Sequence, residues 1–282
     1  MTVLTASTRS PRAAPAGIGS ALAAAFEPRL AGAGLVCLAL MVPTLVMLGL
    51  DERTLNGIPI WIKPLKFQAS VGIYLLTLAW FAAALPERVR RGRLLAVLVA
   101  AAIGCAAFEI AYITVQAARG LASHYNVGDP FHAAMYSAMG LGAVILTAVS
   151  PALAGLLWRY RPAAWSEAFW ISAVLGLALT FALGAGAGAV LSAGDGHWIG
   201  GVRSDAGGVP VFGWSRTGGD LRVAHFLGMH ALHALPALGL VAARLLPTRA
   251  ATGLVLSGAL AYCAATAFVF QQALNGTPLF PL

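Results

Sequence analysis

Apolar residues fill this chain in long blocks, without the alternating or one-faced spacing of a soluble domain. Seven blocks stand out, at approximately Ala31–Leu50, Leu65–Leu85, Leu94–Ala117, Ala133–Leu157, Ala168–Ser192, Leu221–Leu245 and Thr252–Leu274. Each is near the ~20 residues that a helix needs to cross a bilayer. The stretches between them are mostly short, which predicts one compact bundle: an all-α polytopic membrane protein with seven transmembrane helices. Residues 1–30 are rich in Ala, Ser, Pro and Arg and read as a polar cytoplasmic tail, leaving 31–282 as the transmembrane domain. No short apolar core followed by a small-residue cleavage site marks a removable signal peptide.

Composition agrees. The 282 residues are 59% hydrophobic and 10% charged, against about 25% charged in a soluble domain. The net charge of +8 would suggest nucleic acid in a soluble protein. Here it comes largely from arginines in short connections, and no zinc-finger spacing, Walker loop or aromatic-basic stripe accompanies it, so no nucleic-acid partner is expected. Cys37, Cys105 and Cys263 lie inside apolar blocks and form no CxxC or CxxCH pattern, which excludes a disulfide framework and c-type haem attachment.

Charge also orients the chain. With the N-terminus inside, the inner segments hold eleven Lys and Arg residues and the outer ones seven. The positive-inside bias therefore favours N-in and C-out, with PERVRRGR as its strongest element. Inner connections are then terse. The outer ones are long and chemically varied, notably the Gly-rich segment from Gly194 to Gly219, with His197, Trp198 and Trp214, which reads as a lid over the outer face.

The stretch RTGGDLRVAHFLGMHALHALPAL concentrates the candidate chemistry. Asp220 is a good N-cap for a helix that then carries His225, His230 and His233 through an apolar run. At 100° per residue His225 and His230 stand about 140° apart, so three histidines of this helix alone make a poor metal site. Pro236 cannot donate to the Leu232 carbonyl and predicts a kink that opens space beside His233. On the third helix Glu109, Tyr112 and Gln116 share one face, with the Glu109 carboxylate deep in an apolar run. Glu109 and His230 are expected at similar depth, facing one cavity. His124 and His132 stand at helix mouths on the same side, and Gln271 and Gln272 end the last helix there. Gly184, Gly186 and Gly188 predict close helix packing and no chemistry.

The segments GIPIWIKPLKF, QAARGLASHYN and GDLRVAHFLGMHALHALP resemble a family of bacterial seven-helix integral membrane proteins with no assigned activity. The resemblance implies the bacterial cytoplasmic (inner) membrane and brings no function with it. Retinal proteins fit poorly, since the last block lacks a Schiff-base lysine. The zinc hydrolases related to alkaline ceramidase use an HxxxH pair, whereas here the spacings are His225-xxxx-His230 and His230-xx-His233. The favoured function is a haem or transition metal held through His225, His230, His233, His124 and His132, with His230, His233 and Glu109 as metal ligands. Tyr112, Gln116, Asp220, Pro236 and Gln271 would support or gate that site, and a membrane redox protein or a quinone would be the partner, besides the lipid bilayer. Two alternatives stand beside it. One is a transporter or channel passing protons or a small solute by way of Glu109 and the histidines. The other is a metal-dependent membrane hydrolase, with Ser123 or Asp220 near the histidines.

The arginine bias makes a direct prediction. A periplasm-dependent reporter fused after Leu282 should be active, and activity of a cytoplasm-dependent reporter at that point would overturn the N-in/C-out orientation.

Overall fold

A computed structural model describes residues 25–281, so residues 1–24 of the expected tail lie outside the described residues. The first span begins earlier than the apolar pattern indicates. Helix α1 (Pro28–Ala39) starts with Pro28, whose missing N–H is no loss at that position. Glu27 caps it by accepting from the Leu30 N–H at 2.8 Å. After a break at Leu40 the span continues as α2 (Met41–Leu50). Pro43 explains the break, because it cannot donate to the Ala39 carbonyl one turn back.

The remaining spans are α3 (Ile62–Ala83), α5 (Arg93–Ala118), α6 (Pro130–Arg159), α7 (Glu167–Ala193), α8 (Leu221–Leu245) and α9 (Thr248–Leu274), with a four-residue α4 (Glu87–Arg90) in the basic turn. Among the described residues seven helices are thus long and apolar enough to cross a membrane, and together they form an all-α seven-helix bundle. Expected and observed boundaries agree to within about four residues. Two tiny hairpins complete the chain. In the first, β1 (Thr54–Leu55) pairs with β2 (Ile58–Pro59) through Asn56 and Gly57, both with positive φ, as a tight hairpin turn needs. In the second, β3 (Trp198–Ile199) pairs with β4 (Gly219–Asp220) and closes the base of the Gly-rich loop.

Seven crossings gather segments 51–61, 119–129, 194–220 and 275–281 at one end of the bundle. They are sewn together there. Arg53 donates to the Ala118 carbonyl, the Asp205 N–H to Asn56, and Tyr125 to Leu191 at 2.8 Å. The large apolar core sits towards the other end, where Leu78 and Phe81 of α3 meet Leu95 and Val99 of α5, Leu153 and Leu157 of α6, and Leu177 of α7. Polar side chains are therefore concentrated in the half under the loop cap.

The most extensive helix contact joins α7 to α8, and α9 packs on both. Small residues allow it, as the glycine pattern predicts. A Cβ on Gly228 of α8 would meet the Gly184 nitrogen of α7 at 2.5 Å and the Leu183 carbonyl carbon at 2.6 Å. Gly176 of α7 lies against Pro236, whose Cδ would stand 3.0 Å from a Cβ there. Here α7 fills the space against the proline ring, and α8 runs on through Pro236 as one helix.

Gly228→Ala should therefore cost about 1–3 kcal/mol, the range for overpacking a close contact, and lower the thermal unfolding midpoint in detergent. Gly186→Ala, whose added Cβ would meet no atom within 4 Å, should leave it unchanged. Equal midpoints for both variants would show that the α7–α8 approach is not limiting.

Candidate functional site: a polar seam beneath the loop cap

The Gly-rich loop is held by ions. Asp220 caps α8 through the Arg222 N–H at 3.0 Å and grips the Arg222 guanidinium with both oxygens. It also accepts from the Ser215 N–H at 2.9 Å. The same guanidinium reaches Asp205 at 2.8 Å and the Gly213 carbonyl at 2.7 Å. His197 then donates from Nε2 to Asp205 at 3.1 Å. Asp205, Asp220 and His197 are all buried, so each charge has its partner before water is excluded. Burial pushes the His197 imidazole below its ordinary value, partly offset by the bond to Asp205. Burial alone would raise Asp205, but His197 and Arg222 together hold it below the usual carboxylate range. The lid expected from the sequence is thus a folded cap.

From the cap a polar seam descends between α3 and α8. Lys66, at the top of α3, donates to the Phe212 carbonyl of the cap at 2.8 Å. Phe212 stacks on Trp214 at 4.4 Å, Trp214 meets Phe226 edge to face at 5.4 Å, and His230 lies 4.1 Å below Phe226. His230 Nδ1 faces His233 Nδ1 at 3.2 Å, and His233 Nε2 meets Thr77 Oγ1 of α3 at 3.0 Å. On α3, Ser70 and Ile73 between Lys66 and Thr77 are exposed, and both histidines are only partly buried.

The protons in this chain can be assigned. Thr77 sends its hydroxyl proton to the Ile73 carbonyl at 2.8 Å, so its oxygen must accept from His233 Nε2–H. A neutral His233 then has a bare Nδ1, which accepts from His230 Nδ1–H. The bare nitrogen left over is His230 Nε2. At 1.5 Å per residue His230 lies about 13 Å, and His233 about 18 Å, below the start of α8.

The other expected site residues are placed elsewhere. His225 points into α7, with Nδ1 2.9 Å from the Gly184 carbonyl, in agreement with its wide angle from His230. Glu109 is 4% exposed on α5. Its Oε1 is buried without a hydrogen-bond partner near Gly142 of α6. No hydrogen bond or ion pair among the described residues joins Glu109 to His230. Tyr112 stacks on Phe108 with its hydroxyl buried and unpaired. Gln116 is fully buried and holds the turn, donating to the Ala122 carbonyl and accepting from Arg119. Beside Lys63, His124 bonds Ser123 at 3.1 Å. Burial, aided by the Lys63 ammonium, holds its imidazole well below the usual range. His132 belongs to the start of α6, paired with the N-cap Asp129. Gln271 bonds Asn275 at the surface.

Among the described residues no three His, Cys, Asp or Glu side chains converge on a point that could hold a metal ion. The five histidines divide among the seam, the α7 contact, the Lys63 corner and the α6 cap. Three working residues escaped the sequence reading, namely Lys63, Lys66 and Arg222. Counted there as outer-loop charges, they stand inside α3 and α8. Their signal was the position of IKPLK and DLR at the mouths of apolar runs.

Fold and seam together define a multi-pass membrane protein with its polar residues drawn into one half of the bundle. No family model matches the chain, and comparison with curated proteins and with solved structures finds no match.

The cap has a pH dependence. His197 binds a proton less readily folded than unfolded, so its contribution is complete above its ordinary value of 6.5 and declines as pH falls below it. Hydrogen exchange of the amides in 197–221 should therefore become faster, relative to the intrinsic rate, between pH 7.5 and 5.5. His197→Gln, which keeps a donor and cannot titrate, should flatten that difference. An undiminished difference in the variant would remove His197 as its origin.

Proposed function

We propose that the protein works in a bacterial cytoplasmic membrane as a transporter or channel, carrying protons, alone or with a small solute, along the α3–α8 seam. The observation that carries this reading is the ordered hydrogen-bond chain His230–His233–Thr77 in the span interior. Membrane imidazoles are costly and ordinarily serve a pathway, and these two are arranged donor to acceptor. A proton arriving at His230 Nε2 makes an imidazolium, whose Nδ1 proton passes to the bare Nδ1 of His233. His233 is then the imidazolium, and its Nε2 proton passes to a water molecule that takes the place of Thr77, whose own proton stays directed at the Ile73 carbonyl; rotation of the rings resets the chain. The aromatic layer of Phe212, Trp214 and Phe226 closes the approach from the cap. The arginine bias puts that cap on the periplasmic side. Likeness of the three quoted segments to the bacterial seven-helix family accords with this setting.

Glu109, deep in α5, is a second ionisable group buried in the span. Its unpaired carboxyl oxygen supports the same class of function, as a group whose protonation changes with load. The haem or metal reading has less geometric support, because its donors are dispersed.

The test uses purified protein in liposomes loaded with a pH-sensitive dye, under an imposed potassium diffusion potential. Wild type should pass protons well above empty liposomes. His230→Ala and His233→Ala should each lower the flux roughly 10-fold or more, as loss of a relay step does, and Gln271→Ala should not. Flux that matches empty liposomes, or that survives both histidine changes, would sink the proposal. A Soret band or stoichiometric bound metal in the purified protein would restore the haem or metal reading.

A further inference from the structure

A groove of about 700 Å³ opens on the side of the bundle away from the histidine seam. Its walls are α1 and α2 on one side and α5 on the other, with α3 at its floor. The break at Leu40 and the Ala106, Ala107 and Ala111 positions of α5 leave it unfilled. Almost all of the lining is apolar, and no charged side chain takes part.

One residue there is out of place. Gln68 is 1% exposed, lines this groove, and has a buried Oε1 with no partner. Its orientation follows from its neighbour. Thr44 donates its hydroxyl to the Leu40 carbonyl at 2.9 Å, so towards Gln68 it can only accept, and the Gln68 Nε2 stands 2.9 Å from it. The Gln68 oxygen is therefore the atom left over. Thr114 of α5 also lines the groove with a buried, unpaired hydroxyl. A buried acceptor without a donor is costly, and inside a membrane no bulk water supplies one.

We infer that this groove is a binding site for a neutral single-chain lipid whose polar end is a hydroxyl, donating to Gln68 Oε1 while its tail lies along α5. Dimensions and chemistry select this occupant. From Ile103 to Val115 the groove follows about 18 Å of α5 at 1.5 Å per residue. A volume of about 700 Å³ over that length leaves a cross-section of about 40 Å². An extended chain follows such a groove, whereas the backbone N–H groups of a helix of a second copy are already paired within that helix and bring Gln68 no donor. A phosphate headgroup brings acceptors and a negative charge, and the groove offers it no cation. A hydroxyl supplies the donor that Gln68 lacks. Gln68 is about 9 Å below the cap-side start of α3, so the hydroxyl sits near that face and the tail runs towards Ala33 and Leu75, within the 300–1,000 Å³ range of small-molecule sites.

The experiment uses the full chain in nanodiscs and hexadecan-1-ol carrying a mid-chain diazirine. After photolysis, mass spectrometry locates the label. Label should fall on 33–47 and 103–115, and unlabelled hexadecan-1-ol should compete roughly 5-fold or more better than 1-methoxyhexadecane, the factor expected of one net hydrogen bond. In Gln68→Leu the two competitors should become equal while labelling persists. Ala107→Phe, which fills the groove from an exposed position and leaves the Thr44–Gln68 bond intact, should abolish labelling there. Equal competition in wild type would mean that ordinary annular lipid fills the groove. Discrimination that survives Gln68→Leu would also overturn the assignment, as would labelling indifferent to Ala107→Phe. None of these readouts depends on proton flux.

Discussion

The contact between α7 and α8 organises the cap half of this bundle. Gly228 lies so close to the Leu183–Gly184 backbone that it has no room for a side chain, and a Cβ on Gly184 would meet Met229 Sδ at 2.7 Å. That approach fixes the rotation of α8 about its own axis. His225 is thereby turned onto the Gly184 carbonyl, the Leu232 N–H donates to the Thr180 hydroxyl of α7, and the opposite face is left for Arg222, Phe226, His230 and His233. One face is consumed by packing, and the chemistry is confined to the other. Lipid tails give helices no hydrophobic reason to associate, so close backbone contact through small residues is what holds such a pair.

Satisfaction of polar groups in an apolar medium orders the rest. At the cap every buried charge is met: Asp205, Asp220 and Arg222 share hydrogen bonds, and His197 joins them. Deeper, the groups fall into two kinds. The histidines of the seam satisfy one another and Thr77, and only the His230 Nε2 is left over. Glu109 and Gln68 keep a buried oxygen without a partner. An unsatisfied group costs stability unless something outside the chain meets it. Among the orphans, which include the Tyr112 and Thr114 hydroxyls, these two differ in kind, one an ionisable carboxyl on α5 and the other an amide in an uncharged groove. They point to two separate roles, the one protonic and the other lipid-binding.

Much of the architecture was legible in the chain. Hydrophobic runs of spanning length are dictated by bilayer thickness, so seven helices and most of their ends could be read directly, and Asp220 was identifiable as a helix cap from residue type alone. The 100° geometry of a helix likewise separated His225 from His230 without coordinates. Pro236 shows the limit of such local rules. Its missing N–H was evident, but the presence of Gly176 against its ring was not.

The sequence by itself determined class, helix number, the crowding of polar residues at one end, and the identity of the histidine helix. These follow from local quantities: length, hydropathy and angular spacing. Tertiary structure alone decided which polar residues meet. Thr77 stands 156 residues before His233, and Arg222 reaches back 17 residues to Asp205 within the Gly-rich loop. Such partnerships depend on the rotation and neighbours of each helix, set by glycine contacts between distant segments. For the same reason Lys63, Lys66 and Arg222 looked like loop charges, Glu109 and His230 looked like partners, and the groove at Gln68 had no signature in the chain at all.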